Sequence, residues 1–375
     1  MTPIYLDHNA TTPMLPEAWE AMRPFATEVY GNPSSAHSFG RHARQALEDA
    51  RDRVATLLGA LPEEVVFTSG ATEANNLALF GLASSGDILA APIEHPCVIE
   101  PLKQLAVRGC DVDWLPVTAQ GLVEQRAVLE RLCEDTRLVS LMLANHETGA
   151  IQPVRHVAKT LPKQILVHTD AAQAIGKLPV HFHNLGVTAL TASAHKFGGP
   201  KGVGLLLLKK GTTLRPQTFG GHQQRGHRPG TESAPLAVGL AVALSHAVRN
   251  LDANTAHVLE VRGRFLALLL TLVGDDRLVV NTPPDSLPNT LNISFLGCRS
   301  EVLLMSLDLA GVACSTGSAC SSGSLLPSPV LQAMGVPEAV LESAMRFSFS
   351  PIQTLDEASE AAARVANCVL ALATN

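Results

Sequence analysis

The chain has 375 residues, of which 46% are hydrophobic and 17% charged. This composition excludes a disordered or coiled-coil protein and fits one large globular domain plus a smaller one. The formal net charge of −6 offers no basic footprint, so we expect no direct nucleic-acid partner. No apolar run reaches membrane-spanning length and the N-terminus does not resemble a signal peptide, so we expect a cytoplasmic protein without membrane contact.

Short apolar strands alternate with amphipathic helices through the first two-thirds of the chain. We predict six strands, at EVVFTS, DILAAPI, RLVSLMLAN, QILVHTD, VTALTAS and VGLLLLKK. Helices are predicted to open near Ala43, Glu73, Val98, Val123 and Val154. This alternation predicts an α/β domain with a mostly parallel sheet, in which ligands collect at the carboxyl ends of the strands.

The pattern changes after about residue 250, which predicts a second, smaller domain. A long helix around VLEVRGRFLALLLTLV is followed by a strand at LNISF and by a closing helix after Thr354. The N-terminal strand IYLDHN has no neighbouring helix, so we expect it to join this smaller domain. We therefore predict a large domain at residues 13–252 and a small domain formed by residues 1–12 and 253–375.

Polar residues that follow the predicted strands suggest a ligand site. After FTSG a helix starts with Ala71, Thr72 and Glu73, and its free N–H groups and dipole favour an anion. An ordinary capped helix start is the alternative. Asp170 closes another strand, where its carboxylate could pair with a protonated ring nitrogen or could cap a helix over AAQAIGK.

The stretch SAHKFGGPKGVG places Lys196 at the end of a strand, before several glycines. Most lysines are solvated surface charges, but a partly desolvated lysine near other cations can form a Schiff base. An anion-binding helix start, a carboxylate and such a lysine together describe a site for pyridoxal phosphate.

Seven cysteines are scattered without a CxxC pair, so a secreted disulfide framework is excluded. Cys320 lies in STGSACSSGSLLPSP, where Ser, Gly and Pro indicate a polar loop and an accessible thiol. Cys314, six positions earlier, follows the apolar GVA, and we expect it to be buried and inert.

A series of long motifs resembles the cysteine desulfurases, which belong to class V of the fold-type I pyridoxal-phosphate enzymes. The motifs are YLDHNATTP, GNPSSAHSFGR, VFTSGATEANNLA, IEHPCV, HTDAAQAIGK, SAHKFGGPKGVG, RPGTES, STGSACSSGS and RFS, and they run from residue 4 to about residue 350. The resemblance implies an aminotransferase-like α/β fold, with a mostly parallel seven-stranded sheet flanked by helices and a smaller α+β domain.

The resemblance also implies roles around the cofactor, pyridoxal 5'-phosphate. Lys196 would form the Schiff base and move protons, and His95 would stack on the ring and act as acid or base. Asp170 would pair with the ring nitrogen, and Gln173 would bond the ring hydroxyl. The phosphate contacts would be Ala71, Thr72, Ser193, His195 and, in a homodimer, Thr231 of the partner subunit.

The substrate implied by the resemblance is L-cysteine. Arg346 and Asn32 would receive its carboxylate, a task suited to the guanidinium fork. Cys320 would take the sulfur as a persulfide, L-alanine would leave, and the sulfur would pass to an acceptor or cluster-scaffold protein. The transferred sulfur would be used to build iron–sulfur clusters, thio-cofactors or thiolated nucleic acids.

Two alternatives stay open at this point. A selenocysteine lyase or an aminotransferase of the same fold would keep Lys196 and Asp170, but an aminotransferase has no need of a nucleophile such as Cys320. A non-catalytic sulfur carrier or structural subunit would have lost the lysine or the thiol. Since both are present, we favour the desulfurase.

Three positions depart from the pattern of many relatives. In ANHETG, His146 stands where an amide would lie near the cofactor hydroxyl or the substrate carboxylate, so we expect it to contact these groups and to influence cofactor protonation. Gln224 replaces a common Glu. Ser350 and Pro351 replace the Gly-Arg that usually follows RFS.

Overall fold

The structure is a computed structural model that describes residues 2–83, 85–316 and 327–373. Its strands are β1 (Ile4–Tyr5), β2 (Val65–Thr68), β3 (Asp87–Ala90), β4 (Val112–Trp114), β5 (Thr136–Ser140), β6 (Leu166–Asp170), β7 (Ala189–Ser193), β8 (Gly204–Leu208), β9 (Leu278–Val280), β10 (Thr290–Phe295), β11 (Val312–Ala313) and β12 (Ala344–Ser348). Its helices are α1 (Pro16–Thr27), α2 (Ser38–Leu58), α3 (Ala71–Leu82), α4 (Pro96–Val107), α5 (Gln125–Glu130), α6 (Val154–Thr160), α7 (Phe182–Leu185), α8 (Ala234–Arg249), α9 (Leu251–Val273), α10 (Ser300–Leu309), α11 (Pro329–Ala333), α12 (Glu338–Leu341) and α13 (Leu355–Ala373).

A seven-stranded sheet in the order β2-β8-β7-β6-β5-β3-β4 forms the centre of the molecule. Strand β8 runs opposite to the other six strands of this sheet. Every residue of β7 and of β8 is buried, as expected for strands covered by helices on both faces. The predicted α/β fold with a mostly parallel seven-stranded sheet is confirmed.

A smaller layer is formed by β12-β10-β9, which is antiparallel, and by the parallel pair β1–β11. Its core includes the Phe265 ring of α9, which lies 5.0 Å from the Phe347 ring and 5.4 Å from the Phe349 ring. Helices α9 and α13 pack together over this layer. Among the described helices, none has the length and apolar character required to cross a membrane. The domain boundaries at residues 12 and 252 stay a prediction.

The chain between β1 and α1 connects the small layer to the turn that carries Lys196. Thr12 N–H donates to the His195 carbonyl at 3.0 Å, and Leu15 N–H donates to the Gly198 carbonyl at 2.9 Å. Gly198 has φ +83°, and an added Cβ would lie 2.8 Å from Leu15 Cγ. The glycine after Lys196 therefore permits both a left-handed turn and close packing on the N-terminal segment.

Candidate active site

The carboxyl ends of β2, β3, β5, β6 and β7 meet around a cavity of about 610 Å³. Its lining includes the predicted site residues Ala71, Thr72, His95, His146, Asp170, Gln173, Ser193, His195 and Lys196. These residues are up to 125 positions apart in the chain (196 − 71), and the parallel sheet brings them together.

The start of helix α3 forms one side of the cavity. Its N-cap residue, Gly70, makes no side-chain cap, so the first helical N–H groups are available to an anion. Strand β8 passes directly beneath at Gly204, where an added Cβ would lie 2.6 Å from Gly70 Cα. Glu73 stabilises the turn, because it accepts the Ser69 N–H at 2.7 Å and pairs with Arg228 at 2.8 Å.

Asp170 ends β6 with both carboxylate oxygens bonded. Asn75 Nδ2 donates to Oδ2 at 2.7 Å, and Ala172 N–H donates to Oδ1 at 2.8 Å. The other atom of the amide, Asn75 Oδ1, lies 2.5 Å from Thr191 Oγ1 and 3.0 Å from His168 Nε2. The residues after Asp170 form turns, so Asp170 caps a turn and not the helix that the alternative required.

Asn75 is a site residue that sequence reasoning missed. It is fully buried, and it lies one helical turn after Ala71 and Thr72, on the same face of α3. That spacing could have marked it as a partner of the residue at the end of β6.

His95 is the N-cap of helix α4. Its Nδ1 accepts the Cys97 N–H at 3.1 Å, so the neutral ring carries its proton on Nε2. Burial lowers the pKa of His95, and the charges of Lys196 and Arg346 lower it further, while Asp170 acts in the opposite direction. At neutral pH the ring is therefore a neutral group that can donate from Nε2.

Lys196 Nζ donates to the backbone carbonyls of Asn9 and Ala10, at 2.5 and 2.9 Å. The Asn9 side chain also connects the segment next to Lys196 with the small layer. Its Nδ2 donates to Thr290 Oγ1 at 2.8 Å, and its Oδ1 accepts from Asn289 at 2.9 Å. Asn9 was missed because its side-chain partners lie at least 137 positions away, so no local pattern marks it.

Arg346 in β12 is almost fully buried beside the cavity. Its Nη2 pairs with Asp7 Oδ1 at 2.7 Å, and its Nη1 donates to the backbone carbonyl of His146 at 3.0 Å. Its Nε has no hydrogen-bond partner among the described residues. A buried guanidinium N–H without a partner fits an incoming carboxylate.

The His146 ring lies 5.1 Å from the His95 ring in an edge-to-face arrangement. Burial, followed by the neighbouring His95, Arg346 and Lys196, holds the pKa of His146 well below its ordinary value. The structure therefore indicates a neutral imidazole, and its Nδ1 has no partner among the described residues. A charge change at His146 near neutral pH is no longer expected.

Four predicted residues are not among those that line the cavity. Arg346 lies next to it, bonded to the backbone carbonyl of His146, which does line it. Thr231 lines a neighbouring cavity together with Ser69. Asn32 is exposed in the loop after α1, where its Oδ1 accepts the Ser34 N–H at 2.9 Å. Cys320 lies outside the described residues, so its role stays a prediction.

Cys314 directly follows β11 and is partly buried against the core of the small layer. Burial, and to a lesser extent Asp7, raises the pKa of its thiol. A protonated thiol is a poor nucleophile, which agrees with the expectation that Cys314 is inert.

Gln224 is buried between two hydrogen-bond donors on one side and a carboxylate on the other. Its Oε1 accepts from Phe67 N–H at 2.8 Å and from Arg51 Nη1 at 3.1 Å, while its Nε2 donates to Glu232. A Glu at this position would offer Glu232 a second carboxylate and no donor. The amide therefore suits its surroundings better than an acid would.

Comparison with known proteins identifies a protein family that agrees with the observed fold and cavity. Residues 4–360 match the family described as Aminotransferase class-V. A solved structure of a NifS-like protein superimposes with a TM-score of 0.91 at 38% identity, and the match covers 98% of this chain and 99% of that one. The chain belongs to the class-V aminotransferase family.

The similar sequences define its branch of the family. The cysteine desulfurase IscS of Dictyoglomus turgidum is 41% identical over 361 residues, which cover 94% of this chain and 91% of that protein. The cysteine desulfurase NifS of Azotobacter vinelandii is 39% identical over 363 residues, with 95% and 90% covered. Within the family, this chain is a cysteine desulfurase, as its motifs predicted.

Proposed function

We propose that this cysteine desulfurase converts L-cysteine to L-alanine in the described cavity and retains the sulfur as a persulfide on Cys320. The observation that carries the proposal is the convergence of nine predicted residues on one cavity. L-cysteine and one enzyme thiol give L-alanine and one enzyme persulfide, so the atoms and electrons balance without another oxidant or reductant.

The donor groups in the cavity fit pyridoxal 5'-phosphate, and its volume suits a ligand of this size. The start of α3 with Thr72, Ser193 and His195 would hold the phosphate, joined in a homodimer by Thr231 of the partner subunit. Lys196 would bind the aldehyde carbon, and Gln173 would donate to the ring hydroxyl. When bound, the cofactor withdraws electrons from the α-carbon of the substrate.

The described contacts suit the remaining groups to proton transfer and orientation. Asp170 would hold a proton on the ring nitrogen, because Asn75 and the Ala172 N–H keep its carboxylate fixed. Lys196, next to the Asn9 and Ala10 carbonyls, would take the α-proton of the substrate. His95 would stack on the ring and donate from Nε2.

Arg346, with Asn32 and His146, would receive the carboxylate of L-cysteine. The Cys320 thiolate would attack the substrate sulfur, so that an S–S bond forms while the C–S bond breaks and its electron pair stays on carbon, which is then protonated. The persulfide sulfur would pass to an acceptor or cluster-scaffold protein. The homodimer, the acceptor and the cytoplasmic location are part of this proposal.

Product analysis tests the assignment. The purified holoenzyme is incubated with L-cysteine and a thiol reductant beside Cys320→Ser and the matched control Cys314→Ser. We expect equal amounts of alanine and sulfide from the wild type and from the Cys314 variant, and neither product from the Cys320 variant although it still binds cofactor. Alanine that forms independently of Cys320 would contradict the proposed nucleophile, and no alanine at all would favour another reaction of the same fold.

A further inference from the structure

A second cavity of about 370 Å³ lies behind Lys196 and contains another lysine, Lys177. The cavity is lined mainly by apolar side chains such as Phe349 and Val258. Burial, followed by the charges of Lys196 and Arg346, holds the pKa of Lys177 well below its ordinary value. An amine in such surroundings is costly, and the roles described above do not use it.

Lys177 contacts two groups that adjoin the cofactor cavity. Its Nζ donates to Gln173 Oε1 at 2.7 Å and lies 3.4 Å from Asn9 Oδ1. The other end of the glutamine amide, Gln173 Nε2, donates to the backbone carbonyl of Asn9 at 3.0 Å. The amide is therefore held at both ends by side-chain and backbone groups outside the cavity.

These two contacts leave only one orientation for the amide. The Lys177 amine donates to Gln173 Oε1 at 2.7 Å, which keeps that oxygen turned towards Lys177. A backbone carbonyl only accepts, so the atom that faces Asn9 must be Nε2. One N–H of Nε2 is used by Asn9, and the second has no partner among the described residues, so it is available to a ligand in the cavity that Gln173 lines.

We propose that Lys177 is a positioning residue, which turns the Gln173 amide so that Nε2 donates to the ring hydroxyl of the bound cofactor. The inference rests on the proposed function, because that function places the ring hydroxyl at Gln173. Lys177 itself touches neither substrate nor cofactor. Its effect on binding must therefore require both Gln173 and the ring hydroxyl.

The test measures the dissociation constants of pyridoxal phosphate and of its 3-deoxy analogue, which lacks the ring hydroxyl, on cofactor-free protein. The variants are Lys177→Met, Gln173→Ala and the double variant, and Lys163→Met controls for loss of an exposed lysine. We expect Lys177→Met to weaken pyridoxal phosphate binding about tenfold, the loss expected for one hydrogen bond, and to leave the analogue unaffected. The double variant should bind no more weakly than Gln173→Ala, and Lys177→Arg should recover part of the affinity because it keeps donors.

Equal weakening for both ligands would show that Lys177 only supports the junction of the two layers, and an unchanged affinity for both would also overturn the inference. The binding readout separates this inference from the proposed function. Wild-type protein that binds cofactor but yields no alanine would refute the desulfurase reaction, and the comparison of the two ligands would still decide the role of Lys177.

Discussion

The two ends of the cofactor cavity differ in how completely their polar groups are bonded. At one end, Asp170 has donors on both oxygens, and its partner Asn75 uses both atoms of its amide. We call this the paired end. At the other end, His146 Nδ1 and Arg346 Nε are buried without a partner among the described residues. We call this the open end.

Asp170 and Asn75 have hydrogen-bond partners as soon as the chain has folded, whereas the unpartnered atoms of His146 and Arg346 can obtain partners from a ligand. A buried polar atom without a partner costs about 1–3 kcal/mol, and proteins tolerate that cost mainly at functional sites. The Asp170 and Asn75 side chains are therefore held before a cofactor arrives, whereas under the proposed function the open end would gain its missing bonds from the substrate. This assignment predicts that changes at the open end act on substrate binding and that changes at the paired end act on stability.

The largest effect is expected for Arg346→Ala at the open end. Losing a charge-assisted bond to the substrate carboxylate should raise KM for L-cysteine about 100-fold, since such bonds are worth about 1.5–3 kcal/mol. Steady-state kinetics checks this beside Arg346→Lys, which keeps the charge, and Arg126→Ala, which removes an exposed arginine paired with Glu130. An unchanged KM in the alanine variant would place substrate binding elsewhere.

At the paired end, Asn75→Ala should lower the free energy of unfolding by about 1–3 kcal/mol, because Asp170 Oδ2 loses its donor in a buried site. Urea denaturation of the cofactor-free protein measures the loss. The adjacent Asn76 is the matched control, because the bond that its side chain makes within the described part of the chain is an exposed one, to the Thr72 carbonyl. If Asn76→Ala costs as much, the paired end has no special contribution to stability.

Gln224 belongs to a separate buried set of bonds, with the Phe67 N–H, Arg51 and Glu232. Replacing Gln224 by Glu should destabilise the protein by about 1–2 kcal/mol, because two carboxylates would then face each other at Glu232. Adding Glu232→Gln should restore most of the loss. A single variant as stable as the wild type would show that Arg51 alone satisfies the acid.

The sheet could be predicted from the sequence because most of its strands are buried on both faces and appear as apolar runs. Six strands were found in this way. The seventh, β4, was missed because it has only three residues, all half-buried, and contains Asp113. Short edge strands of mixed polarity carry too little pattern to be recognised.

The site was predictable where a residue follows a strand and belongs to a long motif, as Asp170 and Lys196 do. Asn9, Asn75 and Lys177 were not assigned roles, although each lies inside a motif that was recognised. Their importance comes from hydrogen bonds that only the folded chain creates, such as that from Asn75 to Asp170, 95 positions away. Sequence periodicity reports which face a residue occupies, but not which distant group it meets there.

The smallest effect is expected for His146→Asn at the open end. Because the pKa of His146 lies well below 6.5, the ring is neutral throughout the neutral and alkaline range, and the shape of the pH–rate profile there should not change. A profile that shifts in the variant would mean that His146 does carry a titrating proton in the working enzyme.

The same substitution should change stability at acid pH. The folded state disfavours the protonated ring, so below about pH 6.5 the unfolded chain binds a proton that the folded chain does not, and stability falls as pH falls. Each such proton contributes a slope of about 1.4 kcal/mol per pH unit. The Asn variant should lose this part of the acid slope, and the slope due to His168, which is buried at the paired end with a pKa of about 4, should remain. His8 and His195, with pKa values of about 4, also contribute to the acid slope. Urea titrations of the cofactor-free wild type and Asn variant on either side of pH 6.5 therefore measure the part that His146 contributes.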